Sequence, residues 1–534
     1  MKRFLMTTTL SMALALPAAA ATVAEGDVLA DNQTLNYWIL DAFKSLDPQL
    51  TSSREDSDMI RQLFEGLLNE APDGSMVPGV AESYEISEDD LTYTFKLRAS
   101  NWSNGDPVTA HDFVYAWQRA VTPETASDYA WFMELMNLEN ASQIIAGEAA
   151  PETLGVTAPD DHTLVVSLTK PTPYFLKTLA HATTYPTPQK VIEQHGDAWT
   201  RPGNMVSNGA YVLKSHDLGV QATAERNPNY WDNEHTILES VTFTTVNDQN
   251  IALTRYLAGE LDWFNTLPAG QYPRLLAEYP DQTHSAPWAC SYGYLFNLSD
   301  KGPEALKDVR VRRALALAID RDVIVDQILQ GGQMPAYTWT HWAIEGFEPP
   351  EVPMSAMTQP DRLAEARSLL EEAGYGPSNP LNLTIQYNTS EDHRKLAVAV
   401  QQFWRALGVN VTLANYEWTV HIDRLNAQDF EVARYAWCAD YNEASSFLDF
   451  FRTDGYNAGK FSNAAYDQIL ADSATADDPQ ALYTQAEKIL TEELPIAPTY
   501  HYSRPQMFKS TLKGVPMENV MQSWYAKDMY RTAE

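Results

Sequence analysis

This chain of 534 residues contains two cysteines, Cys290 and Cys438. Their side chains could form a covalent bond with each other. An even number of cysteines favours a disulfide in an exported protein, because thiols are oxidised outside the cytoplasm. A pair of buried free thiols is the alternative that the residues leave open. A zinc site is disfavoured, since neither cysteine has histidines at ligand spacing. We expect neither a metal nor a cofactor.

The sequence lacks the motifs of the common nucleophilic, metal-dependent and phosphate-binding enzymes. It contains no G-x-S-x-G, H-E-x-x-H, G-x-x-x-x-G-K-[ST] or G-x-G-x-x-G segment. A glycosidase needs only two carboxylates, and 71 acidic residues supply many pairs, so composition leaves that class open. We predict that the protein is not an enzyme and keep a secreted hydrolase as a remote alternative.

Three ionisable residues in the C-terminal half, His393, Arg434 and Asp440, lie beside predicted elements, and local sequence alone assigns none of them to a site. Arg434 falls in a predicted strand, residues 430–435, which leads directly to Asp440. His393 precedes an amphipathic helix. By itself each residue has an ordinary alternative: a helix-start histidine, an arginine in a structural ion pair, or a surface aspartate near a turn. Trp437 and the other apolar neighbours of Asp440 favour its burial.

The elements that must position these residues alternate between strands and helices. Helical spacing relates Leu396, Val400, Phe403 and Leu407. Gly408 is predicted to end this helix, because glycine readily adopts the left-handed conformation of a C-cap. Strands are predicted at 35–40, 92–97, 163–168, 409–413 and 430–435, and helices at 59–67, after Thr109 and after Asp308. The alternation from 308 to 435 predicts an α/β domain, and the strand-rich region from 90 to 260 indicates a domain change.

The N-terminus has the pattern of a secretory signal peptide. Lys2 and Arg3 precede an apolar stretch at 4–16, and a run of alanines follows. We predict cleavage near Ala20 or Ala21 and export of the mature protein. The formal net charge of −34 argues against nucleic acid and anionic lipid surfaces as partners.

Seven segments, in order along the chain, carry a resemblance to a known family: 63–67, 78–83, 102–110, 208–211, 226–231, 308–312 and 436–443. Together they resemble the family-five solute-binding proteins, which are the periplasmic receptors of ABC importers and include receptors for oligopeptides. The last segment, Ala-Trp-Cys-Ala-Asp-Tyr-Asn-Glu, is the most specific. The resemblance covers nearly all of the mature chain and implies a periplasmic location.

This resemblance implies an α/β, bilobal periplasmic-binding-protein fold, with two hinged α/β lobes and an extra α+β domain. Chain crossings near 289 and 504 would serve as hinges for closure. The implied divisions are a signal peptide at 1–21, a first lobe at 22–64, 189–289 and 504–534, an extra domain at 65–188, and a second lobe at 290–503.

The resemblance also implies where a peptide would bind. Asp440 would accept the α-ammonium of the ligand, while Arg434 and His393 would face its carboxylate. Backbone groups of two segments would sandwich the extended ligand, Ser52-Ser53-Arg54 and Ala436-Trp437-Cys438. Pocket positions fall on Tyr129, Trp263, Asn265, Tyr294 and Tyr502. The family's disulfide maps onto Cys290 and Cys438.

Three positions depart from the family pattern. Leu329 stands where the family has a lysine, Leu425 where it has an arginine, and Gly293 where it has a pocket tyrosine. Arg424, next to Leu425, offers a replacement cation. The departures leave peptide capture intact but affect the preferred length and side chains of the ligand.

We therefore predict a monomeric periplasmic protein that captures short peptides, largely through backbone and termini, and delivers them to an ABC permease in the inner membrane. The alternative is the same fold binding a cell-wall (murein) peptide or a non-peptide solute. Asp440 distinguishes these hypotheses, because a ligand without an ammonium group would leave its charge unpaired.

Overall fold

The computed structural model describes residues 21–51, 53–268, 270–453, 455–476 and 478–533. Residues 1–20 of the predicted signal peptide, and Ser52 of the predicted site, lie outside the described residues. The strands are β1 (Thr34–Ile39), β2 (Leu68–Glu70), β3 (Met76–Pro78), β4 (Ala81–Ile86), β5 (Thr92–Leu97), β6 (Val156–Asp160), β7 (Thr163–Ser167), β8 (Tyr211–Asp217), β9 (Gln221–Arg226), β10 (Ser240–Thr245), β11 (Trp263–Phe264), β12 (Thr283–Phe296), β13 (Met334–Pro335), β14 (Asn382–Asn388), β15 (Asn410–Tyr416), β16 (Val432–Cys438), β17 (Ile496–Phe508), β18 (Leu512–Lys513) and β19 (Tyr530–Arg531).

The α-helices alternate with these strands along most of the chain. They are α1 (Arg54–Leu63), α2 (Ala110–Val121), α3 (Ala130–Leu135), α4 (Ala141–Ile145), α5 (Phe175–Thr178), α6 (Gln189–His195), α7 (Gln249–Leu257), α8 (Tyr272–Glu278), α9 (Glu304–Lys307), α10 (Val309–Ala318), α11 (Arg321–Val323), α12 (Gln359–Glu372), α13 (Glu391–Arg405), α14 (Trp418–Asn426), α15 (Ser445–Leu448), α16 (Ala464–Ser473) and α17 (Gln480–Glu493). No helix in these described ranges is long and apolar enough to cross a membrane.

One large mixed sheet runs through both halves of the molecule. Its strand order is β15-β14-β16-β12-β17-β11-β1-β10-β9-β8, and β13 pairs with β17. The central strands β12 and β17 are antiparallel and have 14 and 13 residues. Strands of one half extend from β12, and strands of the other half extend from β17. The two long strands therefore join the halves of a bilobal α/β fold.

The pairing of β12 with β17 is irregular where the halves meet. The register shifts between Pro287 and Ser291, and again beside Gly293. Such shifts bend and twist a pair of strands. A Cβ atom at Gly293 would lie 2.7 Å from the carbonyl oxygen of Ala497, so the close approach of the two strands requires glycine there. The glycine at this position thus has a packing reason.

A separate antiparallel sheet, β4-β5-β7-β6, lies between residues 81 and 167. Helix α2 begins beside it, and Thr109 and Asp112 form the capping box that starts this helix. The predicted extra domain at 65–188 contains this sheet. Its boundaries and the hinges near 289 and 504 stay predictions.

The second half has its own core beneath α10 and α13. Leu396, Val400 and Trp404 are fully buried on one face of α13, as helical spacing predicts. The indole nitrogen of Trp404 donates to the carbonyl oxygen of Leu315 on α10, at 2.9 Å. This packing holds α13, whose first turn contains His393, against α10.

Candidate functional site

A cavity of about 260 Å³ opens where the two halves meet. Its wall combines the start of α1, the end of β16, a loop of the C-terminal segment and residues of the small sheet's domain. Its lining includes Arg54, Tyr129, Trp288, Cys438 and Asp440. Because chain segments far apart in sequence meet here, the cavity depends on how the halves are arranged.

Asp440 lies two residues beyond the end of β16 and lines the cavity. Its backbone N–H donates to the hydroxyl of Ser446 at 3.0 Å. Its carboxylate forms no hydrogen bond or ion pair with any described residue. Burial raises the pKa of the Asp440 carboxyl to about 7, because a low-dielectric environment disfavours the charged form. The cavity therefore contains an acid that lacks a positive partner.

Tyr129 shares this environment with Asp440. Burial raises the pKa of the Tyr129 hydroxyl, and the negative charge of Asp440 raises it further. The Tyr129 ring stacks on His181 with ring centroids 4.9 Å apart. Burial, followed by the charge of Arg61, lowers the pKa of His181 to about 3, so this histidine is neutral near pH 7. The aromatic wall of the cavity carries no charge of its own.

The start of α1 forms the opposite wall. Ser53 is the N-cap, and its hydroxyl accepts from the N–H of Asp56 at 3.1 Å. The guanidinium of Arg54 donates to the carbonyl oxygen of Gln522 at 2.9 Å and lies 5.9 Å from the ring centroid of Trp288. These side chains hold the helix start against the C-terminal segment, so the wall is preformed.

Strand β16 is paired on only one edge over much of its length. Strand β12 pairs with it from Val432 to Cys438. The parallel strand β14 pairs with it only at Val432 and Ala433. From Arg434 to Cys438, no strand in the described part of the chain covers the second edge.

The predicted disulfide between Cys290 and Cys438 is confirmed, and it shows which backbone groups face that edge. The two residues are a cross-strand pair with Cα atoms 4.0 Å apart. This separation is typical of a non-hydrogen-bonded pair, whose N–H and C=O groups point away from the partner strand. Because strand residues alternate, Arg434 and Ala436 point their backbone groups the same way as Cys438. The N–H and C=O groups of Ala436 and Cys438 therefore point away from β12, toward the edge that no described strand covers.

Trp437 turns to the other face of the strand. Its indole nitrogen donates to the carbonyl oxygen of Ser446 at 2.7 Å, and its ring lies 5.5 Å from that of Phe450. Ser446 also holds the backbone of Asp440. Trp437 thus fastens the turn that carries Asp440 to the core of the second half.

A second polar cluster surrounds Arg434. This arginine is only 8% exposed; its guanidinium lies 5.1 Å from the ring centroid of Tyr292 and 3.5 Å from the hydroxyl of Tyr502. Burial lowers the pKa of Arg434, but the nearby tyrosines outweigh it and the net pKa is raised. Burial and the charges of Arg434 and His421 lower the pKa of His393 to about 3. Arg434 thus lies close to both His393 and Tyr502 in the structure; their contacts with a ligand stay predictions.

Several atoms of this cluster have no partner among the described residues. They are Nε of Arg434, Nδ1 of His393 and the hydroxyl of Tyr292. Buried polar groups are normally hydrogen-bonded, so this concentration of unpaired groups indicates a place where a polar ligand completes the network.

Three predicted pocket residues lie in packed regions away from the cavity. The indole of Trp263 donates to Gln506 at 2.7 Å. The side chain of Asn265 is hydrogen-bonded to the hydroxyl of Tyr37. Tyr294 is fully buried. Ligand contacts of these three residues stay predictions.

Arg424 does not join the cluster around Arg434. Its guanidinium donates to Gln386 at 3.0 Å, pairs with Asp429 at 2.6 Å and lies over the ring of Tyr416. Leu425 is fully buried in the core. The position of the family arginine is therefore apolar here, and the neighbouring cation serves another contact.

Sequence reasoning missed several residues of the cavity wall, namely Arg61, Lys177, His181 and Trp288. They belong to a helix end, a short helix, a loop and an irregular part of β12, and no periodic pattern singles them out. Among the described residues, no group of three or more His, Cys, Asp or Glu side chains is arranged to hold a metal ion.

A bilobal fold with a cavity between its halves, an unpartnered acid and a free strand edge define a ligand-binding protein. The family model of bacterial extracellular solute-binding proteins, family 5, matches residues 75–459. The chain belongs to this family.

Relatives match nearly the whole chain. The periplasmic murein peptide-binding protein MppA of Escherichia coli (strain K12) is 44% identical over 517 residues, which cover 96% of this chain and 95% of the relative. The periplasmic oligopeptide-binding protein OppA of Salmonella typhimurium (strain LT2) is 41% identical over 520 residues, with coverage of 96% and 95%. A solved structure of MppA, a murein tripeptide-binding protein in its unliganded open form, has a TM-score of 0.87 at 42% identity and covers 96% of this chain and 99% of its own.

Proposed function

We propose that this protein is a periplasmic receptor that captures short peptides and delivers them to an ABC importer of the inner membrane. It acts as a monomer and performs no bond chemistry. The names of the relatives support a periplasmic location and a peptide ligand, since both are periplasmic peptide-binding proteins at 41% identity or more. The family is one of solute-binding proteins, which supports capture rather than catalysis.

The observation that carries the proposal is the unpartnered carboxylate of Asp440. A peptide α-ammonium supplies a positive charge and three donors. When the halves close and exclude water, the attraction between these charges strengthens. Burial raises the pKa of Asp440, and a bound ammonium would lower it by stabilising the charged form. A neutral or anionic solute would leave this acid unpaired.

The free edge of β16 supports recognition of the peptide backbone. An extended peptide placed beside Ala436 and Cys438 gains main-chain hydrogen bonds of the kind that join strands in a sheet. These bonds do not depend on side chains, so one receptor accepts many sequences.

Arg434 and His393 provide for the carboxylate end. Arg434 precedes Asp440 on the same segment, and the chain between them spans at most ~20 Å when extended. An extended peptide of about six residues is therefore the upper limit for a ligand that engages both charges. A ligand carboxylate beside His393 would raise the pKa of this histidine, because a negative charge stabilises the protonated imidazole.

Closure about the long strands β12 and β17 completes the site. The similarity to an unliganded open form, at a TM-score of 0.87, supports an open arrangement of the two halves in this structure. Rotation about the irregular pairing near Pro287 and Ser291 would bring the wall at Arg54 toward the edge of β16.

A cell-wall peptide is the second candidate, and the 44% identity to MppA favours it. Both candidates place an ammonium group on Asp440. They differ along β16, because a D-residue or a side-chain linkage interrupts the regular spacing of backbone donors and acceptors.

The test is mass spectrometry of the molecules released when the natively purified protein is denatured. We expect short peptides with free amino termini, and unmodified standard peptides after incubation with the protein. Recovery of solutes without an ammonium group would contradict peptide capture, and fragments of the standards would contradict a purely binding role. D-residues or non-α linkages in the released peptides would select the cell-wall alternative.

A further inference from the structure

His421, on α14, meets the free edge of β16. Its side chain is 1% exposed, and Nε2 lies 3.2 Å from the carbonyl oxygen of Arg434. Burial, followed by the charge of Arg434, lowers the pKa of His421 to about 4. The imidazole is therefore neutral near pH 7, and the tautomer with the proton on Nε2 is the one that donates to this carbonyl.

Packing alone does not explain why residue 421 is a histidine. Its Nδ1 has no hydrogen-bond partner among the described residues. A buried acceptor without a partner lowers stability, whereas phenylalanine or leucine would fill the same space without that penalty. The hydrogen bond to Arg434 is what the imidazole provides at this site.

The hydrogen bond between His421 and Arg434 reduces the number of backbone groups on the edge of β16 that remain unpaired. Strand β14 covers the edge as far as Ala433. His421 covers the carbonyl of Arg434. The uncovered groups belong to Ala436 and Cys438, and the next N–H, that of Ala439, turns back to Ala289 at 2.7 Å. The free edge is thus bounded at both ends.

We propose that His421 is a stop that sets the length of the bound peptide. By occupying the carbonyl of Arg434, it ends the pairing edge at Ala436 and leaves the peptide carboxylate to the Arg434 guanidinium and His393. This inference rests on the proposed function. An edge running from Ala436 to Cys438 pairs with about three ligand residues, so tripeptides are the preferred class.

Removing the donor extends the edge. In His421→Ala, which removes both the donor and the ring that covers this part of the edge, the carbonyl of Arg434 becomes free to accept from a ligand N–H. One additional hydrogen bond corresponds to about a five-fold gain in affinity. We expect that gain for tetra- and pentapeptides, whose backbone extends past Ala436 to the carbonyl of Arg434, and not for tripeptides, which meet only the Arg434 side chain.

His341 offers a matched control. It is also 1% exposed, its Nε2 lies 3.3 Å from the carbonyl oxygen of Tyr502, and burial lowers its pKa to about 4. Its acceptor belongs to β17, outside the free edge. His341→Ala therefore removes an equivalent hydrogen bond, together with the one that Nδ1 accepts from the N–H of Ala343 at 3.1 Å, without lengthening the edge.

The experiment is calorimetric titration of the unliganded wild-type protein, H421A and H341A with tri-, tetra- and pentaalanine. The proposal predicts that H421A shifts the affinity ratio of penta- to trialanine by about five-fold toward the longer peptide, and that H341A leaves the ratio unchanged. Circular dichroism checks folding, and His421→Ser replaces H421A if that variant does not fold.

Equal changes at all lengths, or no change, in the variants of His421 would overturn the length stop. If the wild-type protein binds these peptides, that result leaves the proposed function standing. If the wild-type protein binds none of them, both proposals fail.

Discussion

Cys438 is joined by a disulfide to Cys290, its cross-strand partner on β12, with Cα atoms 4.0 Å apart. This bond fixes β16 two residues before Asp440. The residue pair that stabilises the fold therefore also positions the free strand edge and the acid beside it.

The first prediction concerns this disulfide. Replacing both cysteines by serine removes a cross-link that closes a loop of 148 residues. The chain-entropy model assigns such a loop ~4–5 kcal/mol, an upper figure. We expect a lower melting temperature in thermal denaturation and weaker peptide binding. A reductant should destabilise the wild-type protein and leave the double variant unaffected; an unchanged melting temperature in the double variant would contradict this role.

The second prediction concerns pH. The pKa of Asp440 is about 7 in the empty protein, and an ammonium ligand lowers it because it stabilises the charged form. Binding therefore displaces a proton below pH 7, and affinity for free-amine peptides should fall by up to tenfold per pH unit as pH decreases from 7 to 5. Titrations in buffers of different ionisation enthalpy measure the released proton. A flat affinity profile over this range would be inconsistent with the assigned role.

The third prediction concerns the stability of the unliganded protein. The folded pKa of Asp440 lies above its ordinary value of 3.8, so the folded state binds more protons than the unfolded state between about pH 4 and pH 7. Its ionisation thus reduces stability as pH rises through that window. Asp440→Asn should raise the melting temperature of the empty protein at pH 8, while the same change at the exposed Asp128 should not. Destabilisation by D440N would argue that Asp440 has a partner in the empty state.

The fourth prediction concerns the carboxylate end. Arg434→Met keeps much of the apolar volume but removes the charge that faces His393. We expect binding of peptides with a free carboxylate to weaken about tenfold or more, since a charge-assisted contact is lost. Binding of the corresponding C-terminal amides should change much less. Equal losses for acids and amides, measured by calorimetry, would assign Arg434 a structural role only.

Local sequence patterns predicted elements well where one face is buried. The strand expected at 92–97 is β5, and the helix defined by Leu396 and Val400 is α13. Gly408 adopts the positive φ of 83° expected just beyond a helix end. Alternation and helical spacing follow directly from the order of apolar residues, so these elements could be predicted from the sequence.

The helix expected at 59–67 was misplaced. It runs over Arg54–Leu63, because Ser53 caps it and Phe64 is extended. The apolar residues on which the prediction relied, such as Leu67, lie beyond its end. The capping serine was the missed signal, since it precedes a stretch of charged residues that conceals the helical pattern.

The candidate site was only partly predictable. The cavity includes Ser53, Arg54, Tyr129, Cys438 and Asp440, all of which follow from the resemblance to the family. The unpaired edge of β16 could not be predicted, because it depends on where β14 leaves the sheet. His421 was missed for the same reason: its contact with Arg434 joins a helix face to a strand edge, and no spacing rule indicates it.

The central claim is that Asp440 neutralises a peptide α-ammonium, and calorimetric titration tests it most directly. A tripeptide and its N-acetylated form are compared on the wild-type protein, D440N and the control D128N. We predict that acetylation weakens binding to the wild type and D128N by about 30-fold or more, because breaking a buried charge pair costs ~2–5 kcal/mol, and that D440N binds both forms with similar, weak affinity. Equal binding of the two forms by the wild-type protein, or an undiminished preference for the free amine in D440N, would contradict the account.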